Sequence, residues 1–319
     1  MQISEKVPLT KDLDGIITFT VSKNFLSGAY CAKFKYIMYK NLTFFIIFLF
    51  FNAKVFADQT LYCSHPELCR MIHQISNVKT ENLISISGDP HEYEPTISEI
   101  KKLISAPILI TGPKELNPWI KKVIFQRSKI PELKTISLLF DPNDYLFYPN
   151  ANGETLSHFW LYPKVYCSLK NKMEKNLAQL GIALKISPAC DFKKPEDLLR
   201  STLLKIKKPI ILTHDALLPL FLDLNKDQNH QIVAIKGSGH HEEASPASIK
   251  KLYNALNSPS VVWIQETGIN IPQNILNKIR PSDMVVKIDT SKGKTDEAFC
   301  VLNELSEKLL TLNETKNKN

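Results

Sequence analysis

A chain of 319 residues with 44 % hydrophobic and 23 % charged side chains can bury a sizeable core, on the usual prior divided between two domains. Its formal charge is +8, but residues 1–57 contribute seven basic and three acidic side chains. The remainder, at +4 and without a strong basic cluster, gives little support for a nucleic-acid partner. Tyr39-Lys40, the apolar run from Leu42 to Phe51 and the small-residue pattern Val55-Phe56-Ala57 together read as a secretory signal peptide over residues 38–57. An apolar stretch of about ten residues is too short for the roughly 18–20 of a spanning helix. Met38 is then the expected start and residues 1–37 a start-site artefact, with an internal signal anchor as the alternative. No cysteine follows the cleavage site in a lipid-attachment pattern, so the product is expected to be soluble in a Gram-negative periplasm. In that oxidising compartment Cys63 with Cys69 and Cys167 with Cys190 are plausible local pairs, leaving Cys300 over.

From Gln59 short β-like runs alternate with amphipathic helical stretches. The predicted elements are a strand at 60–63, a helix at 66–75 with Leu68, Met71, Ile72 and Ile75 on one face, and a strand at 83–86. The turn Gly88-Asp89-Pro90-His91-Glu92-Tyr93-Glu94-Pro95-Thr96 leads into a helix ending at Ile104. A strand at 107–111 and a helix at 118–125 follow. Between 128 and 155 only Leu138–Phe140 reads as a strand, and Asp141-Pro142-Asn143-Asp144 and Asn150-Ala151-Asn152-Gly153 read as turns. Ser157-His158-Phe159-Trp160-Leu161-Tyr162-Pro163 precedes a helix at 164–180. Strands are expected at 184–187, 209–212, 232–235, 261–264 and 285–288, and helices at 195–206, 217–222, 246–256 and 296–310. Such alternation implies an α/β fold of two lobes, each a mostly parallel sheet flanked by helices. The expected boundaries are an N-terminal lobe at 58–163, a connector at 164–206, a C-terminal lobe at 207–312 and a disordered tail at 313–319.

Three of the eight histidines, His91, His158 and His214, stand just ahead of helices, and Glu266 and Asp289 end strands. Taken singly, each fits a capping turn, an aromatic corner or a solvated strand end. Taken together they describe a cleft at the carboxyl ends of strands, where α/β folds bind ligands. Imidazole nitrogens with one carboxylate oxygen suit a tetrahedral zinc shell, whereas calcium or magnesium would call for mostly oxygen ligands.

Asp89-Pro90-His91-Glu92-Tyr93-Glu94-Pro95, Asn117-Pro118-Trp119-Ile120, His158-Phe159-Trp160-Leu161-Tyr162-Pro163, Thr213-His214-Asp215-Ala216 and Ser245-Pro246 resemble, in order, motifs of the zinc/manganese solute-binding proteins of ABC importers. That resemblance implies two lobes joined by a helical connector, one metal ion in the interlobe cleft, and delivery of the ion to a permease in the inner membrane. It places the ligands at His91, His158, His214 and Asp289, with Glu266 supporting an imidazole from behind. Manganese-type members usually have Glu where His214 stands, which tilts the bound ion toward Zn2+, with Mn2+ as the alternative. The protein would then be a monomeric binding component and no enzyme.

Three departures stand out. The interval between His91 and His158 contains no histidine-rich loop, Gly181 and Pro188 interrupt the connector, and Thr290 follows Asp289 where the family often has Pro. His240 and His241, in a loop that begins with glycines, are candidates for an auxiliary metal site or a solvated loop. A secreted zinc hydrolase is the alternative, since catalytic zinc often has three protein ligands and a position for water, but His91-Glu92-Tyr93-Glu94 is not the His-Glu-x-x-His signature and no nucleophile motif appears. The same residues are also compatible with a manganese- or iron-binding protein of the same fold, and the chain as a whole with a metal-independent adhesin or scaffold.

Overall fold

The computed structural model describes residues 10–11, 17–18, 59–83, 93–151, 156–186, 189–226, 230–236, 245–269, 271–290 and 299–316. The predicted signal segment 38–57 lies outside them, as do His91, His240 and His241. The chain divides into two compact units, Met1–Ala57 and Asp58–Asn319. In the first, Thr10–Lys11 pairs antiparallel with Ile17–Thr18. All that follows concerns the second.

Its first sheet is built from β1 (Leu61–Cys63), β2 (Thr80–Asn82), β3 (Ile108–Thr111) and β4 (Lys134–Ser137). All pairings are parallel and the order is β2-β1-β3-β4. β3 is Ile-Leu-Ile-Thr with every residue buried, as a central parallel strand covered on both faces must be. Helix α1 (Pro66–Ile75) buries Leu68, Met71, Ile72 and Ile75, the predicted face, and the Cys63–Cys69 disulfide ties it to the end of β1. Helix α2 (Ile97–Ser105) starts on a capping box between Thr96 and Glu99, and α3 (Ile120–Arg127) packs beside it.

The edge strands are where sequence and structure part. The second strand is Thr80-Glu81-Asn82, in register with Leu61-Tyr62-Cys63, rather than the apolar run beginning at Leu83, whose residues 84–86 lie outside the described set. The fourth is Lys134–Ser137 rather than Leu138–Phe140. An edge strand is wetted on one side and tolerates polar residues, so hydrophobicity marks it poorly. The predicted turn at Asp141 is a helix start: Asp141 and Asp144 form the capping box of α4 (Pro142–Phe147).

Helix α5 (Pro163–Gln179) carries the chain out of the first sheet. It stops at Gly181, whose φ of 72° suits glycine, with Ile182 N–H donating to Leu177 O and Gly181 N–H to Ala178 O. The strand expected at 184–187 is reduced to an antiparallel bridge between Leu184 and Ser76 that returns the chain to the end of α1. Cys167 and Cys190 are joined by the second disulfide. After α6 (Lys193–Lys205) the second sheet forms from β5 (Ile210–His214), β6 (Ile232–Lys236), β7 (Val262–Glu266) and β8 (Met284–Ile288). It is parallel, in the order β8-β7-β5-β6. Helices α7 (Leu218–Leu224), α8 (Pro246–Leu256), α9 (Gln273–Leu276) and α10 (Cys300–Lys316) complete it. The closing helix thus continues through Lys316 instead of giving way to a disordered tail after Asn313. Leu309 is buried, and the Asn313 amide donates to Lys205 O at the end of α6.

One buried core runs from α1 and β1 through α5 and α6 to β5, β7, β8 and α10, and a smaller apolar layer covers the outer face of each sheet. Both sheets read 2-1-3-4 in their own chain order, and both carry an arginine at the matching helix end. Arg127, 1 % exposed, donates to the carbonyls of Leu103, Ile104, Ala106 and Lys134 and to Thr135 Oγ1, closing the end of α2. Arg280 donates to Leu256 O and Ser258 O, closing the end of α8, and is itself held by Asp283. Arg127→Met keeps the bulk of the side chain but strands five acceptors. It is expected to cost at least about 3 kcal/mol in urea unfolding, and a loss under about 1 kcal/mol would show that the guanidinium is dispensable.

Candidate metal centre

The strand order of the second sheet reverses between β5 and β7, and at such a point the carboxyl ends of the strands leave a crevice. His214 is the last residue of β5 and Glu266 the last of β7. Parallel pairing of Leu212 with Ile264 brings the two ends level. Thr213 Oγ1 locks them by accepting the Glu266 N–H at 3.1 Å and donating to Ile264 O at 3.3 Å. His214 Nδ1 lies 3.3 Å from Glu266 Oε2, which also accepts the Thr290 hydroxyl at 2.9 Å. A carboxylate is an acceptor, so it favours the tautomer with the proton on Nδ1 and turns the Nε2 lone pair the other way. Nε2 is 3.9 Å from Asp215 Oδ1.

His158 reaches the same place from a different element, as the residue that opens the 3-10 turn Phe159–Leu161. Trp160 Nε1 donates to Thr290 O at 2.6 Å, which fixes the turn against the end of β8. The indole is stacked on His65 at 4.9 Å and meets His158 edge-on at 5.5 Å. The rings of His158 and His214 are 5.4 Å apart between centroids, inclined at 76°, and only 2 % and 1 % exposed. Two imidazoles on one tetrahedral ion, each nitrogen at about 2.0–2.1 Å, would have centroids roughly 5 Å apart. The pair therefore stands at the separation a shared ion requires.

Among the described residues no three His, Cys, Asp or Glu side chains stand close enough together to hold an ion. Of the predicted set, His158, His214 and Glu266 are brought together. Asp289 follows Ile288, which is paired with Glu266, and is half-buried at the same end of the sheet. His91, His240 and His241 lie outside the described residues. Sequence reasoning missed His65, Asp215 and the role of Thr290. Like His158 and His214, His65 stands just ahead of a helical turn. It is the N-cap of α1, its Nδ1 accepting the Glu67 N–H at 3.2 Å, which puts the ring proton on Nε2.

Residues 61–185 match the family model of the zinc-uptake complex component A, periplasmic, ZnuA. The chain resembles a zinc/manganese-type solute-binding protein. Among solved structures, the periplasmic zinc binding protein TroA from Treponema pallidum superposes with a TM-score of 0.57 at 12 % identity, over 80 % of this chain and 99 % of that one. A crystal structure of ZnuA gives 0.54 at 18 %, over 80 % and 98 %. The laminin binding protein Lmb of Streptococcus agalactiae, described as a bifunctional protein with adhesin and metal transporting activity, gives 0.54 at 14 %, over 80 % and 97 %. At such identities the likeness is one of fold, that of two parallel sheets flanked by helices. No curated protein matches the chain.

Negative charge gathers around the imidazole pair. Burial first, and then the carboxylates of Asp215 and Glu266, push the Tyr162 hydroxyl well above its ordinary range. That hydroxyl donates to Ala216 O at 2.6 Å. Beside His65, burial raises the Glu67 carboxyl from 4.5 to about 7, an effect its ion pair with Arg70 only partly offsets. Because the folded pKa lies above the unfolded one, the unfolded chain ionises first as pH rises. Glu67 therefore contributes stability below about pH 4.5 that is lost as pH climbs through about 7. Glu67→Gln, which cannot ionise, is expected to melt higher than the wild type at pH 8.5 and near it at pH 4.5 in thermal scans of the metal-free protein. Equal melting temperatures at both pH values would contradict the shift.

Proposed function

We propose that this chain is the metal-capturing component of an ABC importer: a periplasmic, monomeric protein that holds one divalent ion and passes it to a permease in the inner membrane. The observation that carries the reading is the buried His158–His214 pair, spaced for a common ion at the carboxyl ends of the second sheet. His91 and Asp289 complete the shell, and Glu266 holds the His214 ring from behind. The match of residues 61–185 to a zinc-uptake family and the shared fold support it. Three neutral imidazoles with a single carboxylate favour Zn2+ over Mn2+, which prefers oxygen-rich shells. The central site does not need His240 and His241, the candidates for an auxiliary site or a solvated loop.

No chemical step is required of such a protein. Capture needs deprotonated imidazoles, so binding weakens as pH falls below their ordinary value of about 6.5. Competition of zinc against a chromophoric chelator at pH 7.5 tests the ligand set. His158→Ala and His214→Ala are each expected to lower affinity by more than about 100-fold, beyond what an outer-shell partner contributes. The His240→Ala/His241→Ala double variant is expected to retain it. Wild-type affinity in both single variants would remove the proposed site. For the wild type, unchanged affinity between about pH 7.5 and about pH 5 would exclude histidine ligation.

A further inference from the structure

Thr290 touches both sides of the imidazole pair through different atoms. Its hydroxyl donates to Glu266 Oε2 at 2.9 Å, and its carbonyl accepts the Trp160 indole N–H at 2.6 Å. Thr290 is 7 % exposed and Glu266 5 %, so water has little access to either group. The Glu266 oxygen that accepts the hydroxyl is the one facing His214 Nδ1. On the other side, the indole anchored by the carbonyl is in edge contact with the His158 ring.

We propose that Thr290 is a positioning residue of the metal centre. Its hydroxyl fixes the rotamer of the Glu266 carboxylate, which in turn fixes the tautomer and plane of the His214 ring. The inference rests on the reading that His158 and His214 bind the ion. A carboxylate can hold a ligating imidazole only if it cannot swing away, and at 3.3 Å the contact from His214 is at the long end for a hydrogen bond. The hydroxyl supplies the shorter and better-defined constraint. Loss of the hydroxyl leaves Oε2 with only the long contact to His214 in a buried setting. The backbone contact to Trp160 survives any substitution, so a side-chain variant isolates the hydroxyl's share.

The test is a double-mutant cycle read by zinc competition against a chromophoric chelator on untagged protein, with the melting temperature of each metal-free variant recorded alongside. Thr290→Val is expected to weaken zinc binding by about 10- to 100-fold, the range for an outer-shell partner of a ligand. Thr290→Ser, which keeps the hydroxyl, is expected to bind within about threefold of the wild type. In a Glu266→Gln background Thr290→Val should cause little further loss, because the group it acts through has already been altered. Should the valine variant not fold, Thr290→Ala takes its place in the same cycle. Wild-type affinity in the hydroxyl-free variant, or an equal loss in both backgrounds, overturns the inference. The ligand reading stands in that case, as it falls instead if the wild-type protein fails to bind zinc or if His158→Ala and His214→Ala both keep wild-type affinity.

Discussion

A carboxylate buried as deeply as that of Glu266 is tolerable only when hydrogen bonds or a counter-ion compensate for the water it has lost. Its compensation comes from the Thr290 hydroxyl and the facing Nδ1 of His214, and its own N–H is tied to Thr213. Those contacts require β5, β7 and the end of β8 to be level, which parallel pairing through Leu212–Ile264 and Ile288–Glu266 secures. The same contacts hold His214 with a defined face toward His158. A divalent ion there would offset negative charge that Glu266 and Asp215 bring to a nearly water-free site.

Both sheets repeat one plan: a parallel 2-1-3-4 order, an apolar outer layer and a buried or half-buried arginine closing the helix that precedes the third strand. Each is thereby stiffened independently of its neighbour. What joins them is the continuous core through α5 and α6, and the aromatic cluster around Trp160. Trp160 is stacked on His65, the cap of the first sheet's α1, and hydrogen-bonded to Thr290, two residues past the second sheet's β8. The site and the connection between the sheets therefore share a side chain.

Much of this was legible in the sequence. β5 and β7 are mostly apolar runs buried on both faces and β8 buries alternate residues of an apolar run broken only by Lys287, so their ends, and with them His214, Glu266 and Asp289, were located to within two residues. Gly181 marked the end of α5 because its positive φ suits glycine. The edge strands β2 and β4 were misplaced because half-solvated strands carry polar residues, and the reach of α10 was underestimated because polar Asn313 is held by α6. His65, Asp215 and Thr290 were not legible as parts of the cluster. The roles of His65 and Thr290 follow from a ring contact and a hydrogen bond to residues far away in the chain, 95 positions between His65 and Trp160 and 24 between Thr290 and Glu266. Periodicity carries no trace of such partners.

Everything proposed for the site depends on histidines from separate elements sharing one ion. X-ray absorption at the zinc edge of untagged, singly loaded protein reads that shell directly. Four nitrogen or oxygen neighbours are expected at about 2.0–2.1 Å, with the outer-shell scattering of at least two imidazole rings and no sulfur. Sulfur at about 2.3 Å, or a shell without imidazole scattering, would contradict a shared histidine site.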